Sequence, residues 1–372
     1  MKPLDLSRRR IANSRLTGDG FDTPEEVVGW HLAMQAQEYG QAKWSIGQRS
    51  TGLVDADVEE AVTAGSIVRT HVLRPTWHLV ARDDIRWLLA ISGPRVQQGN
   101  AGRYRDLGLD ERTRARAAAI IVSALEGGNR LTRNEIGAVL DDAGINREGQ
   151  RLPYILMHCE LEAVIGSGGL AGKQQTYALL DERVPKGRRF DRDDAMVELA
   201  RRYLRSQGPA TVKDMNWWSG FTMADIRKAL EMLGDEVRGE TIDGIVFWSV
   251  AADEPPPPPA GGAHLLQTYD ELVVGFSESR SFRDPRLESA RAAWSGATGG
   301  PVPTGGILLN ARIGGHWRRT IARTRIDVEV HLYEEPKRAD GRALSFETSD
   351  LGRFFGREVG LETRLLRGGA PR

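Results

Sequence analysis

Residues 211–250, TVKDMNWWSGFTMADIRKALEMLGDEVRGETIDGIVFWSV, predict two consecutive helices followed by a β-hairpin. Thr211 and Thr222 stand where N-cap residues open helices. The hairpin is expected to turn at Asp243-Gly244, a dipeptide typical of tight turns. Helix, turn, helix and a two-stranded ribbon is the plan of a winged helix, a variant of the helix-turn-helix motif that reads DNA.

The same order of elements is predicted twice more, on the N-terminal side of this stretch. In the first copy, Thr23 opens a helix that we expect to run to about Gln37, and the run 66–80 should form the hairpin. In the second copy, Thr132 opens a helix, and the glycine-rich run 164–180 should form the hairpin. The other helices expected in these copies are 41–48, one that begins at Asp55, and 147–162.

Three copies at a spacing of roughly 75–90 residues indicate a tandem array. The predicted fold is therefore mainly α with β-hairpin wings (α+β), made of three tandem winged-helix motifs. Winged helices also serve as protein contacts or scaffolds, so the pattern by itself leaves the function open.

Five consecutive prolines, Pro255 to Pro259, predict a semi-rigid linker before a different C-terminal region. In that region we expect an α/β segment with strands over 265–276, 305–321 (with a turn at Arg-Ile-Gly-Gly) and 324–333, and a short helix over 349–356. The predicted divisions are a first winged-helix domain at 1–105, a second at 106–190, a third at 191–254, the linker at 255–262, and a C-terminal α/β domain with a basic β-hairpin at 263–372.

The composition is that of a globular protein without a membrane-spanning segment. The chain has 372 residues, 40% of them hydrophobic, and no apolar run long enough to cross a bilayer. The first ten residues lack the apolar region of a signal peptide, and the single cysteine, Cys159, excludes an internal disulfide framework. We expect a cytoplasmic, nucleoid-associated protein.

Basic and acidic residues balance at 51 each, but their distribution is uneven. Nine arginines lie between Arg280 and Arg325, against only Asp284 and Glu288. A second basic cluster spans 183–192. Solvated surface charge is one interpretation. The predominance of arginine, whose planar fork matches phosphate, favours a polyanionic partner.

The common catalytic motifs are missing. No P-loop is present, so a nucleotide cofactor is not expected. The seven histidines are scattered without metal-ligand spacing, and we predict neither a metal nor an organic cofactor. The glycine-rich run 166–172 lies in a predicted hairpin, where it gives little reason to expect phosphate binding.

One polar pair remains, in the stretch MQAQEYG at 34–40, where Gln35 and Gln37 lie near a predicted helix end. Residues i and i+2 of an α-helix point about 200° apart, so the two amides can serve one ligand only if the backbone leaves the helix. The alternative is a solvent-facing helix end.

Several stretches resemble, in the same order, the AlkZ-like (azinomycin-resistance type) family of bacterial DNA glycosylases. They are LAMQAQEYGQAKWSIGQR, VRTHVLRPTWHLV, GPATVKDMNWWSGFTMADIRKAL, QTYDELVVGF and GGILLNARIGGHWRR. The similarity spans residues 5 to 355. It implies a C-shaped array of tandem winged helices around a DNA channel, and cleavage of the N-glycosidic bond of alkylated purines, bulky adducts and interstrand cross-links included.

The family's catalytic pattern, Gln-x-Gln with an aliphatic middle residue, falls on Gln35, Ala36 and Gln37. Alkylation at N7 makes guanine a cationic leaving group that needs no general acid. What remains is to hold a water and to stabilise an oxocarbenium-like sugar, which neutral amide dipoles can do. We assign Gln35 to the sugar or lesion and Gln37 to the water; Glu38 is the competing base.

Candidate DNA contacts lie around this motif and on a basic hairpin over 310–317. In the alternative interpretation each has only a structural role. The candidates are Lys43, Arg69, Arg74, Thr76, His78, His316, Arg318 and Arg319.

We therefore expect a monofunctional DNA glycosylase that acts as a monomer on double-stranded DNA with alkylated bases, since no lysine is placed for Schiff-base chemistry. The alternatives are a non-enzymatic winged-helix DNA-binding protein, such as a transcriptional regulator or a drug-resistance factor, and a protein-interaction scaffold. A regulator would prefer one DNA sequence, whereas a scaffold would show no salt-dependent DNA binding.

Overall fold

The computed structural model describes residues 3–184, 186–251, 262–279 and 304–366. Up to residue 251, three units repeat the order helix, short β-segment, helix, helix and β-hairpin. The proline linker and the arginines between 280 and 303 lie outside the described residues. No described helix is both long enough and apolar enough to span a lipid bilayer.

The first unit contains a three-stranded sheet in the order β1-β3-β2, with antiparallel pairing throughout. Its helices begin and end largely where capping residues predict: Thr23 forms a capping box with Glu26, and Gly65 ends a helix with φ of 80°. The elements are α1 (Pro3–Asn13), α2 (Pro24–His31), β1 (Met34–Gln35), α3 (Tyr39–Gly47), α4 (Asp55–Ala64), β2 (Ile67–Val72), β3 (Arg74–Ala81) and the long α5 (Arg82–Asp106).

The prediction that the first helix runs to Gln37 is wrong. The helix ends at His31, where Leu32 takes a positive φ of 67° and turns the chain into β1. Residues 32–36 are all buried, so their apolar character reflects a strand held inside the protein rather than one face of a helix.

The second unit repeats this topology with the sheet order β4-β6-β5. Its helix predicted from 147 begins at Arg151 instead. The elements are α6 (Glu111–Leu125), β4 (Leu131–Thr132), α7 (Arg133–Asp142), α8 (Arg151–Leu161), β5 (Ile165–Ala171), β6 (Gln174–Leu179) and α9 (Leu180–Arg183).

The glycine-rich run lies mainly within β5, and its role is close packing. A Cβ added at Gly166 would lie 2.6 Å from a methyl group of Val68 on β2. At Gly169, φ is +92° and an added Cβ would lie 2.7 Å from the hydroxyl of Thr63. The glycines therefore let the second hairpin pack directly against the first unit.

The third unit has the two helices and the hairpin predicted over 211–250. A bridge between Ala210 and Trp248 takes the place of the short strand. The elements are α10 (Arg192–Gln207), α11 (Val212–Ser219), α12 (Met223–Leu233), a single 3₁₀ turn (Gly234–Glu236), β7 (Val237–Ile242) and β8 (Ile245–Val250).

The C-terminal region contains a five-stranded sheet in the order β13-β12-β11-β10-β9. It is antiparallel except for β12 and β13, which are parallel and connected through α14. The elements are β9 (Ala263–Leu265), α13 (Glu271–Val274), β10 (Gly305–Leu309), β11 (Arg312–Ile321), β12 (Arg325–Leu332), α14 (Arg338–Phe355) and β13 (Glu358–Leu365).

Three predictions for this region need correction. The run 265–276 is not one strand, because β9 ends at Leu265 and α13 follows after five residues. The hairpin turns at Asn310-Ala311, both with positive φ, and not at Arg-Ile-Gly-Gly, which belongs to β11. The short helix over 349–356 is the end of the longer α14, whose N-terminal half is too polar to suggest burial.

The described residues form three large hydrophobic cores, two of which connect these parts. One joins the first unit, the third unit and the C-terminal region, and includes Val80, Trp218 and Leu272. A second joins the first unit to the C-terminal sheet. The third belongs to the second unit. The first unit therefore packs against both the third unit and the C-terminal region, and β1 lies where they meet.

Candidate active site

Gln35 occupies the second position of β1, directly opposite His78 on β3. Its backbone N–H and C=O point away from β3, since both are hydrogen-bonded to side chains on the outer side of the strand. Gln35 and His78 thus form a non-hydrogen-bonded antiparallel pair, the arrangement in which facing side chains lie closest.

The two glutamines differ sharply in exposure. The Gln35 side chain is buried, and its Oε1 has no hydrogen-bond partner among the described residues. Gln37 and Glu38 are exposed. The N–H of Ala36 donates to the carbonyl of Trp77 at 2.8 Å, which continues the pairing with β3 beyond Gln35. The backbone therefore leaves the helix at this motif, as two cooperating amides require.

A row of polar side chains crosses this face of the sheet. Thr70 on β2 pairs with the other side of His78, so Gln35, His78 and Thr70 lie side by side. Thr76 stands two residues before His78, on the same face. Within the described part of the chain, four buried atoms of this row lack hydrogen-bond partners: Gln35 Oε1, Thr70 Oγ1, Thr76 Oγ1 and His78 Nε2.

His78 is a neutral acceptor in this row. Its Nδ1 lies 3.0 Å from the carbonyl oxygen of Thr76, so Nδ1 carries the proton and Nε2 is left as an acceptor. Burial, with the Arg74 guanidinium adding to it, lowers the pKa of His78 from 6.5 to about 3. The imidazole can accept a hydrogen bond at neutral pH but cannot act as a general acid.

Two side chains from the C-terminal region hold the outer edge of β1. Oε1 of Glu271 accepts the Gln35 N–H at 2.7 Å, and Nε2 of Gln267 donates to the Gln35 carbonyl at 3.2 Å. Oε2 of Glu271 accepts the Trp218 indole N–H at 2.9 Å. Burial raises the pKa of Glu271 to about 7.

Arg69 lies beneath the motif and is not directed to solvent. Its Nε donates to the carbonyl of Ala36 at 2.9 Å, and Nη2 reaches the carbonyl of Gln37 at 3.4 Å. The guanidinium also lies 4.2 Å from the ring centroid of Trp77. Arg69 therefore fixes the backbone that carries Gln37.

Arg74 begins β3 and extends the site towards the third unit. Its guanidinium lies 5.9 Å from the ring centroid of Trp217, which is 44% exposed. The Trp217 indole donates to the carbonyl of Val274 at 2.9 Å, which fixes the orientation of the ring. A cation and an exposed aromatic ring thus lie close to the polar row.

The remaining predicted DNA contacts lie outside this cluster. Lys43 is buried between Asp55 and Glu59, at 2.8 and 2.5 Å. Arg318 is held at 2.5 Å by both oxygens of Glu329, and His316 contacts the hydroxyl of Tyr333, as part of the sheet.

Arg319 donates to the carbonyl of Gly40 at 3.1 Å, near the start of α3. Its guanidinium lies 4.7 Å from the ring centroid of Phe355, and burial lowers its pKa to about 10. Lys43, His316, Arg318 and Arg319 are therefore occupied within the fold, and we leave them out of the DNA contacts proposed below.

Glu271 and Gln267 are not among the site residues predicted from the sequence. They belong to QTYDELVVGF, whose apolar residues predict a strand. The signal that could have found Glu271 is the acidic pair Asp270-Glu271 directly before the apolar residues Leu272–Val274. Asp270 is also buried, and it pairs with Arg49 at 3.0 Å.

A protein-family model described as DNA glycosylase AlkZ-like matches residues 28–354. The chain belongs to the AlkZ-like family of DNA glycosylases and is accordingly an enzyme, which confirms the family resemblance of its motifs. The alternatives without enzymatic activity are not favoured.

Similar proteins come from Streptomyces sahachiroi. An interstrand DNA cross-link repair glycosylase is 23% identical over 347 residues, which cover 89% of this chain and 90% of the relative. The solved structure of DNA glycosylase AlkZ matches with a TM-score of 0.80 at 20% identity, covering 98% of this chain and 100% of the other. The two proteins share a mixed α and β fold.

Proposed function

We propose that this glycosylase hydrolyses the N-glycosidic bond of alkylated purines in double-stranded DNA, as a monofunctional, monomeric enzyme of the cytoplasm. Its substrates would be N7-alkylguanine, bulky adducts or interstrand cross-links. The observation that carries this proposal is the non-helical backbone at Gln35 and Gln37, with one amide in the buried polar row and the other at the surface.

The chemistry suits a leaving group that is already cationic. Gln35 Oε1 and His78 Nε2 are neutral acceptors, and they can hold a water or stabilise positive charge that develops on the sugar. His78 stays unprotonated at neutral pH, so no acid from this row is available to protonate a normal base. N7-alkylation removes that need, which favours alkylated purines over undamaged ones.

The printed name of the Streptomyces sahachiroi relative is interstrand DNA cross-link repair glycosylase, and this supports cross-links as one substrate. We further propose that the three repeated units are winged helices in a C-shaped arrangement around the duplex, with divisions near 105, 190 and 254. In the first two units the short strand pairs with the second strand of the hairpin, in the orders β1-β3-β2 and β4-β6-β5. The proposed DNA contacts are Arg74, Thr76 and His78, whereas Arg69 fixes the backbone at Ala36 and Gln37.

The test is base excision from a duplex that carries N7-methylguanine or a nitrogen-mustard cross-link. Abasic sites are cleaved with alkali and resolved on a gel. We expect Gln35→Ala and Gln37→Ala to lose excision while they retain DNA binding. Gln174→Ala removes an exposed glutamine on β6 and serves as the matched control, with excision unchanged. Full excision by both motif variants would overturn the assignment, and wild-type inactivity on every alkylated substrate would overturn the reaction.

A further inference from the structure

The geometry around β1 points to Glu271 as a positioning residue for the reaction, assisted by Gln267. We propose that these two side chains set the position of Gln35 by holding its backbone from the C-terminal region. This inference rests on the proposed catalytic role of Gln35. It makes the active site dependent on a segment more than 200 residues away along the chain.

The argument begins with the shortness of β1. A two-residue strand has little pairing of its own, and only β3 lies beside it in the sheet. On the open edge, the N–H of Gln35 donates to Glu271 and its C=O accepts from Gln267, at 2.7 and 3.2 Å. The two side chains thus do for Gln35 what a neighbouring strand would do.

Both side chains are fixed themselves. Gln267 is 2% exposed and Glu271 is 3% exposed. The second oxygen of Glu271 accepts the Trp218 indole, which belongs to the core shared with the third unit. Asp270, next in the chain, accepts from Ser45 on α3 at 3.0 Å. The segment therefore contacts both elements that flank Gln37.

Glu271 acts through Gln35 and does not reach the reacting atoms. Its two oxygens are each used by one N–H donor, and it is shielded from solvent. A carboxylate accepts both hydrogen bonds. A protonated carboxyl group would turn its O–H towards one of the two N–H groups. The two hydrogen bonds therefore require the ionised form of Glu271.

This requirement makes the hydrogen bond between Glu271 and the Gln35 N–H depend on pH. Titratable groups act on Glu271 from three sides: Arg74 from β3, Asp270 from its own segment and Tyr203 from α10. Burial has the largest effect and raises the pKa of Glu271 to about 7, while Arg74 lowers it. The backbone of Gln35 should therefore loosen as the pH falls below about 7.

The decisive variant is Glu271→Gln, which keeps the shape of the side chain. Its amide has one acceptor oxygen and one donor nitrogen, so it cannot accept from both the Gln35 N–H and the Trp218 indole N–H. We expect the single-turnover excision rate to fall roughly 10- to 100-fold, with DNA affinity unchanged. We also expect the wild-type rate to decline below an apparent pKa near 7 and that acid limb to be absent in the variant. Gln267→Met removes the other hydrogen bond, should lower the rate similarly, and should keep the acid limb.

Glu347 supplies a matched control. It is also a buried carboxylate with a pKa raised to about 7, and it holds the same C-terminal segment through the N–H of Leu265 at 2.9 Å, without touching Gln35. We expect the folded Glu347→Gln protein to excise at the wild-type rate. Its rate should also decline below pH 7 as the wild-type rate does. Thermal unfolding of each variant separates loss of fold from loss of rate.

Two results would overturn the inference. One is a Glu271→Gln rate that matches Glu347→Gln after correction for the folded fraction. The other is a wild-type rate without an acid limb near pH 7, a result that does not depend on any variant folding. Failure of the proposed function looks different, since Gln35→Ala would then retain full excision. If Gln35→Ala is inactive and Glu271→Gln is fully active, only the positioning role fails.

Discussion

Gln35 and His78 face each other across β1 and β3, and each presents a buried acceptor atom without a hydrogen-bond partner among the described residues. Buried polar atoms are almost always hydrogen-bonded, so paired exceptions within a sheet mark a place where function outweighs stability. Under the proposed mechanism, this pair holds a water or contacts the sugar.

Arg69 should be needed for its geometry rather than its charge. Arg69→Lys keeps the positive charge but cannot donate to the carbonyls of Ala36 and Gln37 in the same fork. Hydrogen bonds from charged donors contribute about 1.5–3 kcal/mol, so the excision rate should fall roughly 10- to 100-fold. Single-turnover kinetics and DNA affinity at several salt concentrations would measure both effects. Full activity in the lysine variant would show that Arg69 serves as a phosphate contact instead.

His31 should make the protein less stable in acid. Burial lowers its pKa from 6.5 to about 3, so the folded state binds fewer protons than the unfolded state. Its contribution to stability is full above pH 6.5 and is lost as the pH falls towards 3. Each pH unit in that window corresponds to about 1.4 kcal/mol.

The test compares wild type with His31→Gln, whose amide can still donate to the carbonyl of Ser14. Between pH 7.5 and 5.5 the variant should gain about 1.4 kcal/mol relative to wild type in urea unfolding. The test compares the two proteins at each pH, because acidification also acts through Glu271 and Glu347. Their pKa values are raised in the folded state, so their protonation increases the stability of the folded protein equally in wild type and variant. Equal pH dependence in both proteins would contradict the prediction.

Gly166 should matter for packing and not for phosphate binding. In Gly166→Ala the new Cβ would lie 2.6 Å from Val68, and overpacking of this kind costs about 1–3 kcal/mol. Gly99, exposed in α5 with open space around it, is the matched control. Gly99→Ala should stabilise the helix by about 0.5–1 kcal/mol. Calorimetry measures the stability of both variants, and a binding assay measures their affinity for DNA. Weakened DNA binding by a Gly166→Ala protein of normal stability would favour a phosphate site over a packing role.

The basic segment 186–190 should contribute to DNA affinity. Lys186, Arg188 and Arg189 are exposed, and within the described part of the chain none of them forms an ion pair. The segment packs on α5, where a groove of about 400 Å³ lies beside Trp87. Each phosphate contact contributes about −0.9 to the slope of log affinity against log salt concentration, so replacing all three by glutamine should flatten that slope by about 2 to 3.

Arg318 and Glu329 offer a control for this effect, because they already neutralise each other. The double variant Arg318→Gln/Glu329→Gln should leave the salt slope unchanged. An unchanged slope in the triple variant would identify the segment as solvated surface charge, which is the other interpretation of its sequence.

The local signals in the sequence were reliable. Thr23, Thr132, Thr211 and Thr222 all cap helices by accepting an N–H three residues ahead. Such a hydrogen bond needs only residues that are neighbours in the chain, so the sequence contains all of it. The order of helices and hairpins follows from signals of this kind, whereas the family rests on the resemblance of its motifs and on the family match over residues 28–354.

The failures have one physical cause. The helix predicted to reach Gln37 stops at His31 because the chain pairs with β3 and is gripped by Glu271, and neither partner is near in sequence. The same cause applies to Lys43 and Arg318, which stay untested as DNA contacts: they are predicted from charge alone, and their carboxylate partners are brought to them only by folding.

The sequence by itself determined the capped helices, the hairpins, the repeated units and the Gln-x-Gln pattern, because these depend on interactions over a few residues. Only the tertiary structure decided that Gln35 lies in a strand, that His78 faces it as a neutral acceptor, and that Gln267 and Glu271 hold its backbone. Those features are hydrogen bonds and burial between distant segments, which exist only after the three units and the C-terminal region have packed together.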